Sequence, residues 1–116
     1  MKRIAINGFG RIGRVLFRIL MQNELYQIIA INDLASPKIL SHLLKYDSIH
    51  GRYNGDIRYT KESIIVDGKE IHILNNSDID SLPWMKLKID VVFECTGLFR
   101  TFKENFSHIN AGAKKV

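Results

Sequence analysis

The chain has 116 residues, 46% of them hydrophobic, a size and composition that fit one domain with a buried core. One cysteine, Cys95, excludes an intramolecular disulfide or a cysteine-based metal cluster, and the four histidines lie too far apart for ligand spacing. The formal charge of +5 comes from seventeen Lys and Arg spread along the chain, which reads as a solvated surface rather than the clustered footprint of a nucleic-acid binder.

The basic start Met1-Lys2-Arg3 is followed by a short strand and glycines, not by the apolar core and cleavage site of a signal peptide. The longest apolar runs, such as Ile28–Ile31 and Val91–Phe93, are strand-sized and too short to span a bilayer. The reading is therefore a cytoplasmic protein with no membrane partner.

Arg3–Asn7 reads as a buried strand ending in a turn. Arg11–Gln22 reads as a helix whose apolar residues Ile12, Val15, Leu16, Ile19 and Leu20 fall on one face. Gln27–Asn32 is a second buried strand, so the first thirty or so residues form a βαβ unit. Ser36 then reads as an N-cap with Pro37 at the first helical position, and the helix Pro37–Tyr46 carries Ile39, Leu40, Leu43 and Leu44 as its apolar stripe. Asp47–Asp56, with two glycines and an asparagine, is a loop.

Three strand-like pieces follow, Ile57–Thr60, Ser63–Val66 and Glu70–Leu74, with Asp67-Gly68 as a two-residue hairpin turn between the last two. Asn75–Leu87 is irregular or a short helix. Asp90–Cys95 is a further buried strand, Thr101–Asn110 a helix, and Gly112 its C-cap. Lys114-Lys115-Val116 reads as the start of one more strand, so the sequence reads as the front part of a longer protein. The fold class expected is α/β: a doubly wound, mostly parallel sheet of Rossmann type with an added antiparallel hairpin, C-terminally truncated, occupying residues 1–116 as one incomplete domain.

The chemistry is concentrated in Gly8-Phe9-Gly10-Arg11-Ile12-Gly13, which follows a strand and opens an amphipathic helix. Gly8 permits the tight turn out of the strand. Gly10, without a Cβ, lets backbone approach a pyrophosphate. Gly13 lets the helix pack closely. The free N–H groups of the first helical turn, around Arg11 and Ile12, present the positive end of the helix dipole to phosphate. Asp33, twenty residues beyond Gly13, supplies the acid at the end of the second strand. A carboxylate there accepts from both hydroxyls of an adenosine ribose and repels a 2′-phosphate, which favours NAD over NADP.

Longer stretches resemble the glyceraldehyde-3-phosphate dehydrogenase family: Ala5–Arg14, Ile31–Leu34, His42–Ser48 with His50-Gly51-Arg52, Glu94–Gly97 and Ala111–Val116. They come in the family's order over the whole chain. The resemblance implies that Arg11 and Ile12 contact the pyrophosphate through backbone, that Asp33 holds the adenosine ribose, and that Leu34 lies beside it. It further implies that Cys95, Thr96, Gly97 and Phe99 line the adenine side. Two positions depart from the family. Ser77 stands where an arginine often contacts the adenine through its backbone, and Cys95 stands where many members have serine before Thr96-Gly97.

Cys95 is thus not the catalytic cysteine, which in the family lies in a Ser-Cys-Thr-Thr-Asn-Cys motif beyond Val116, so this chain carries no catalytic residue. The resemblance implies an intact homotetrameric enzyme that oxidises glyceraldehyde-3-phosphate with NAD and inorganic phosphate to 1,3-bisphosphoglycerate. Erythrose-4-phosphate dehydrogenase is the close alternative, and Asn32-Asp33-Leu34 favours the glycolytic enzyme. A non-catalytic NAD-binding module is the reading from a different class.

Overall fold

The computed structural model describes residues 2–46, 56–75 and 82–95. The expected loop at 47–55, Ser77, Thr96, Gly97, Phe99, the helix Thr101–Asn110 with its Gly112 cap, and the start of a strand at Lys114 lie outside the described residues. Among the described ones, the order is β1 (Lys2–Asn7), α1 (Arg11–Met21), β2 (Tyr26–Asn32), α2 (Pro37–Lys45), β3 (Ile57–Tyr59), β4 (Ser63–Val66), β5 (Lys69–Leu74) and β6 (Val91–Glu94). Each expected helix and strand in this range is present, with no end moved by more than one residue.

The six strands form one sheet in the order β3-β4-β5-β2-β1-β6. The pairs β5–β2, β2–β1 and β1–β6 are parallel, whereas β3–β4 and β4–β5 are antiparallel. This is the Rossmann arrangement expected from the βαβ pattern, extended by an antiparallel meander at one edge. Asp67 and Gly68 both have positive φ, 52° and 81°, as a two-residue hairpin turn between right-twisted strands requires.

Chain direction in the sheet places the core. β2 contributes Ile28 and Ile31 to the cluster under the helices, and Ile29 and Ala30 to the cluster on the opposite face. Strict alternation cannot do this. A one-residue register shift between β1 and β2 does: Ile4 faces Ile28, but Ala5 faces Ala30, so Ile29 is the extra residue.

Helix α1 buries Gly13, Phe17 and Leu20, and leaves Ile12 73% and Ile19 60% exposed. The expected core stripe of Ile12, Val15, Leu16, Ile19 and Leu20 is therefore rotated by about one position. Apolar residues occupy almost every position from Val15 to Met21, so two overlapping stripes satisfy the helical period. Gly13 decides between them, because the helix meets the chain leaving β1 most closely at the one residue without a side chain. Phe9 reinforces the choice by packing edge-on against Phe17, ring centroids 5.5 Å apart. Helix α2 is turned likewise: Leu40, Ser41 and Leu44 are buried, while Ile39 and Leu43 of the expected stripe are exposed. Its start is as expected, with Pro37 at the first turn and the Ser36 hydroxyl accepting the Ile39 N–H at 3.3 Å.

The other sheet face is covered by residues 82–89. Ile89 N–H donates to the Trp84 carbonyl and Leu87 N–H to the Pro83 carbonyl, so the segment is a run of hydrogen-bonded turns. It carries Leu82, Trp84 and Ile89 onto Ala5, Ala30 and Val92. Trp84 is fully buried there, as a packing residue. Among the described residues no helix is long and apolar enough to cross a membrane, and no cluster of acidic, histidine or cysteine side chains has the makings of a metal site.

Candidate cofactor-binding site

Strand order reverses at β1: β2 leads to one side of the sheet and β6 to the other. A crevice opens beyond the carboxyl ends of strands at such a switch point. The chain leaving β1 there is glycine-rich. β1 ends in Asn7 and passes into Gly8, whose φ of 93° only glycine adopts without strain. The Gly8 N–H donates to the Asn32 carbonyl at 2.8 Å, which ties the loop to the end of β2.

The other two glycines serve different purposes. A Cβ on Gly13 would collide with the Gly8 carbonyl, so this glycine is demanded by the protein's own backbone. A Cβ on Gly10 would meet nothing within 4 Å, and its φ of −76° is ordinary. Among the described residues nothing sterically requires glycine at Gly10. A cradle open to an incoming group gives a reason for it.

Gly10 is also the N-cap of α1 and offers no side-chain cap, and the first turn carries no acidic residue. The first-turn N–H groups have no intrahelical acceptor, and the helix supplies no acidic side chain of its own to meet them. Arg11 is exposed at this end, and Arg14 is held by donating from Nη1 to the Phe9 carbonyl at 3.0 Å. Backbone donors at the start of a helix and an open cradle fit a pyrophosphate.

Asp33 follows β2 directly. Its Oδ2 accepts the Phe9 N–H at 2.7 Å and its Oδ1 accepts the Ala35 N–H at 3.0 Å. A carboxylate offers about four acceptor positions, so two remain for a diol. The residue is half-buried and fixed in direction, which suits a group that must meet two hydroxyls in register. Leu34 beside it is 69% exposed, an apolar surface at the lip of the same site, and its carbonyl accepts from Asn75 Nδ2 at 3.2 Å.

Under the loop lies a chain of side-chain hydrogen bonds. Asn32 Nδ2 donates to Asn7 Oδ1, and Asn7 Nδ2 donates to Glu94 Oε2, each at 2.7 Å. Asn7 and Asn32 are buried. Cys95 sits one residue past β6, its N–H donating to the Asn7 carbonyl at 2.8 Å. It is only partly buried, not enclosed within the strand as expected. Its Cβ lies 3.6 Å from where a Gly13 Cβ would stand. Burial pushes the thiol above its ordinary pKa, and the Glu94 charge pushes it further. Cys95 is therefore protonated at neutral pH, the opposite of an activated nucleophile.

The structure thus gathers Gly8, Gly10, Arg11, Ile12, Asp33, Leu34 and Cys95 at the carboxyl ends of β1, β2 and β6. Ser77, Thr96, Gly97 and Phe99 lie outside the described residues. Three participants escape a reading by motif. Phe9, the variable position of the glycine fingerprint, anchors the loop by its ring, its N–H and its carbonyl. Asn7 and Glu94 join the strand ends from beneath. The visible signal is a polar residue closing the apolar run of each of three strands, Asn7, Asn32 and Glu94.

A parallel sheet with a glycine loop at its switch point, leading into an uncapped helix and facing an acid on the neighbouring strand, defines a dinucleotide-binding domain of Rossmann type. Residues 2–102 match the family described as "Glyceraldehyde 3-phosphate dehydrogenase, NAD binding domain", and the chain belongs to that family. Its cofactor is NAD. The chain is 51% identical to glyceraldehyde-3-phosphate dehydrogenase of Thermotoga maritima, an alignment covering 100% of this chain and 35% of that protein. It is 51% identical to the enzyme of that name from Buchnera aphidicola subsp. Schizaphis graminum, over 98% of this chain and 34% of the relative. The figure for that of Clostridium pasteurianum is 47%, over 100% and 35%. The chain spans about a third of the length of the curated relatives it matches.

Proposed function

We propose that the protein carrying this chain is a phosphorylating, NAD-dependent glyceraldehyde-3-phosphate dehydrogenase, in which residues 1–116 form the front of the NAD-binding domain. NAD supplies the hydride acceptor for aldehyde oxidation, and inorganic phosphate takes up the acyl group to give 1,3-bisphosphoglycerate. In this reading the N–H groups of Arg11 and Ile12 hold the pyrophosphate. The Asp33 carboxylate accepts the adenosine ribose hydroxyls, and Leu34 covers the ribose. Gly8 and Gly10 shape the loop, and Cys95, Thr96, Gly97, Ser77 and Phe99 line the adenine side.

The catalytic nucleophile and its base belong to the portion of the relatives that this chain does not span. A homotetramer in the cytoplasm completes the proposal. The observation that carries it is the Asp33 carboxylate, fixed against the loop by the Phe9 N–H, in a chain about half identical to proteins named for this activity. The reading is tested by assaying the intact protein for NADH formation with glyceraldehyde-3-phosphate and with erythrose-4-phosphate, each with and without phosphate. Phosphate-dependent turnover that prefers the three-carbon aldehyde supports it. Preference for erythrose-4-phosphate, or no turnover with either, overturns it.

A further inference from the structure

The hydrogen-bond chain Asn32–Asn7–Glu94 has a direction. An ionised carboxylate only accepts. Glu94 Oε2 therefore requires the amide nitrogen of Asn7 to face it, as it does at 2.7 Å. That turns Asn7 Oδ1 toward β2, where only a donor satisfies it, and Asn32 Nδ2 supplies the bond at 2.7 Å. One carboxylate thus orients two side-chain amides that are 3% and 6% exposed. Each of the three residues immediately precedes a residue of the cofactor site: Asn7 precedes Gly8, Asn32 precedes Asp33, and Glu94 precedes Cys95.

We propose that Glu94 is a positioning residue, whose carboxylate orders the Asn7 and Asn32 amides and so sets the spacing between the Asp33 carboxylate and the phosphate-facing turn of α1. The inference rests on the cofactor reading above, since the spacing matters only if one ligand bridges both places. Backbone bonds alone hold the strand ends at two points, Gly8 N–H to Asn32 and Cys95 N–H to Asn7. The side-chain relay adds a further tie across each gap, beside the Phe9 N–H to Asp33 bond that already joins the loop to the end of β2. A ligand that touches Asp33 and the loop together feels its loss more than a ligand that touches Asp33 alone.

The test compares ADP with adenosine by calorimetric titration of the intact protein. The ratio of the two affinities reads how much the loop adds once the ribose is held. Glu94→Leu removes the acceptor that orders the Asn7 amide, and the ratio falls roughly tenfold. Asn32→Asp puts an acceptor at each end of Asn7, so one bond is lost however the amide turns, and the ratio falls roughly tenfold. Combining Asn32→Asp with Glu94→Gln restores it, because Gln at 94 donates to Asn7 Oδ1 while Asn7 Nδ2 donates to the new carboxylate, and the relay runs in reverse.

A role confined to stability lowers the melting temperature of these variants without moving the ratio, and that result overturns the proposal, as does a double variant no better than Asn32→Asp. If Asn32→Asp alone does not fold, the double variant is read in its place: a ratio near wild type supports the proposal, and a lowered ratio or a failure to fold overturns it. Wild-type protein that binds ADP no more tightly than adenosine overturns the phosphate role of the loop itself, and the relay with it.

Discussion

The Asp33 carboxylate accepts the backbone N–H of Phe9 at 2.7 Å, joining the acid after β2 to the middle of the glycine loop after β1. The proposed selector of the ribose and the proposed cradle of the phosphates are thereby one unit. Since Asp33 also accepts from Ala35, replacing it by alanine removes two structural acceptors together with the charge. Each buried N–H left without a partner costs about 1–3 kcal/mol. Substitutions that keep one acceptor are needed to read the charge alone.

Gly10 and Gly13 separate ligand from fold. We expect Gly10→Ala to lower stability by less than about 1 kcal/mol, the cost of a poorer N-cap, while weakening NAD at least roughly tenfold by filling the cradle. Gly13→Ala, whose Cβ meets the Gly8 carbonyl, should lower both stability and affinity. Urea unfolding and NAD titration of the two variants check this. Equal stability losses would remove the case that Gly10 answers to a ligand.

Trp84 is the largest fully buried side chain and anchors the face of the sheet away from α1 and α2. Trp84→Ala should cost about 3–5 kcal/mol through lost burial and the cavity left behind. Denaturant unfolding measures it. A loss below about 1 kcal/mol would mean that residues 82–89 do not hold that face.

Cys95 should resist alkylation at neutral pH. Its folded pKa is raised by burial and by Glu94, so the thiolate forms only above the ordinary thiol range. The stability linked to it is fully present below the unfolded pKa and is lost as pH rises through the folded one. Iodoacetamide labelling followed by peptide mass should show Cys95 slower than an unstructured thiol, and faster when Glu94 is replaced by Gln. Labelling at or above the rate of the unstructured thiol would contradict the assigned environment.

Much of this was legible in the sequence because local signals agreed. The Ser36-Pro37 helix start and the Asp67-Gly68 turn each rest on two adjacent residues, and the βαβ unit and the fingerprint with Asp33 on patterns within one continuous stretch, Arg3 to Asp33. What was not legible depended on contacts between distant residues. Which stripe of α1 faces inward follows from Gly13 meeting Gly8, not from the helical period, which two stripes satisfy. The extra residue Ile29 is visible only against its partner strand. The Asn7–Asn32–Glu94 relay joins residues up to 87 positions apart, and no spacing rule links them.

We propose that Asp33 and the loop after β1 bind NAD, and that the charge at Asp33 selects it. The most direct measurement is calorimetric titration of the intact protein with NAD and with NADP, beside the Asp33→Asn variant, which removes the charge and keeps one acceptor. A carboxylate within a few ångströms of a 2′-phosphate repels it by enough to separate the cofactors at least roughly tenfold, even after solvent screening. We expect wild type to bind NAD more tightly than NADP by that margin or more, and Asp33→Asn to weaken NAD and narrow the gap. Equal or inverted affinities in wild type, or a gap unchanged in the variant, would contradict the account.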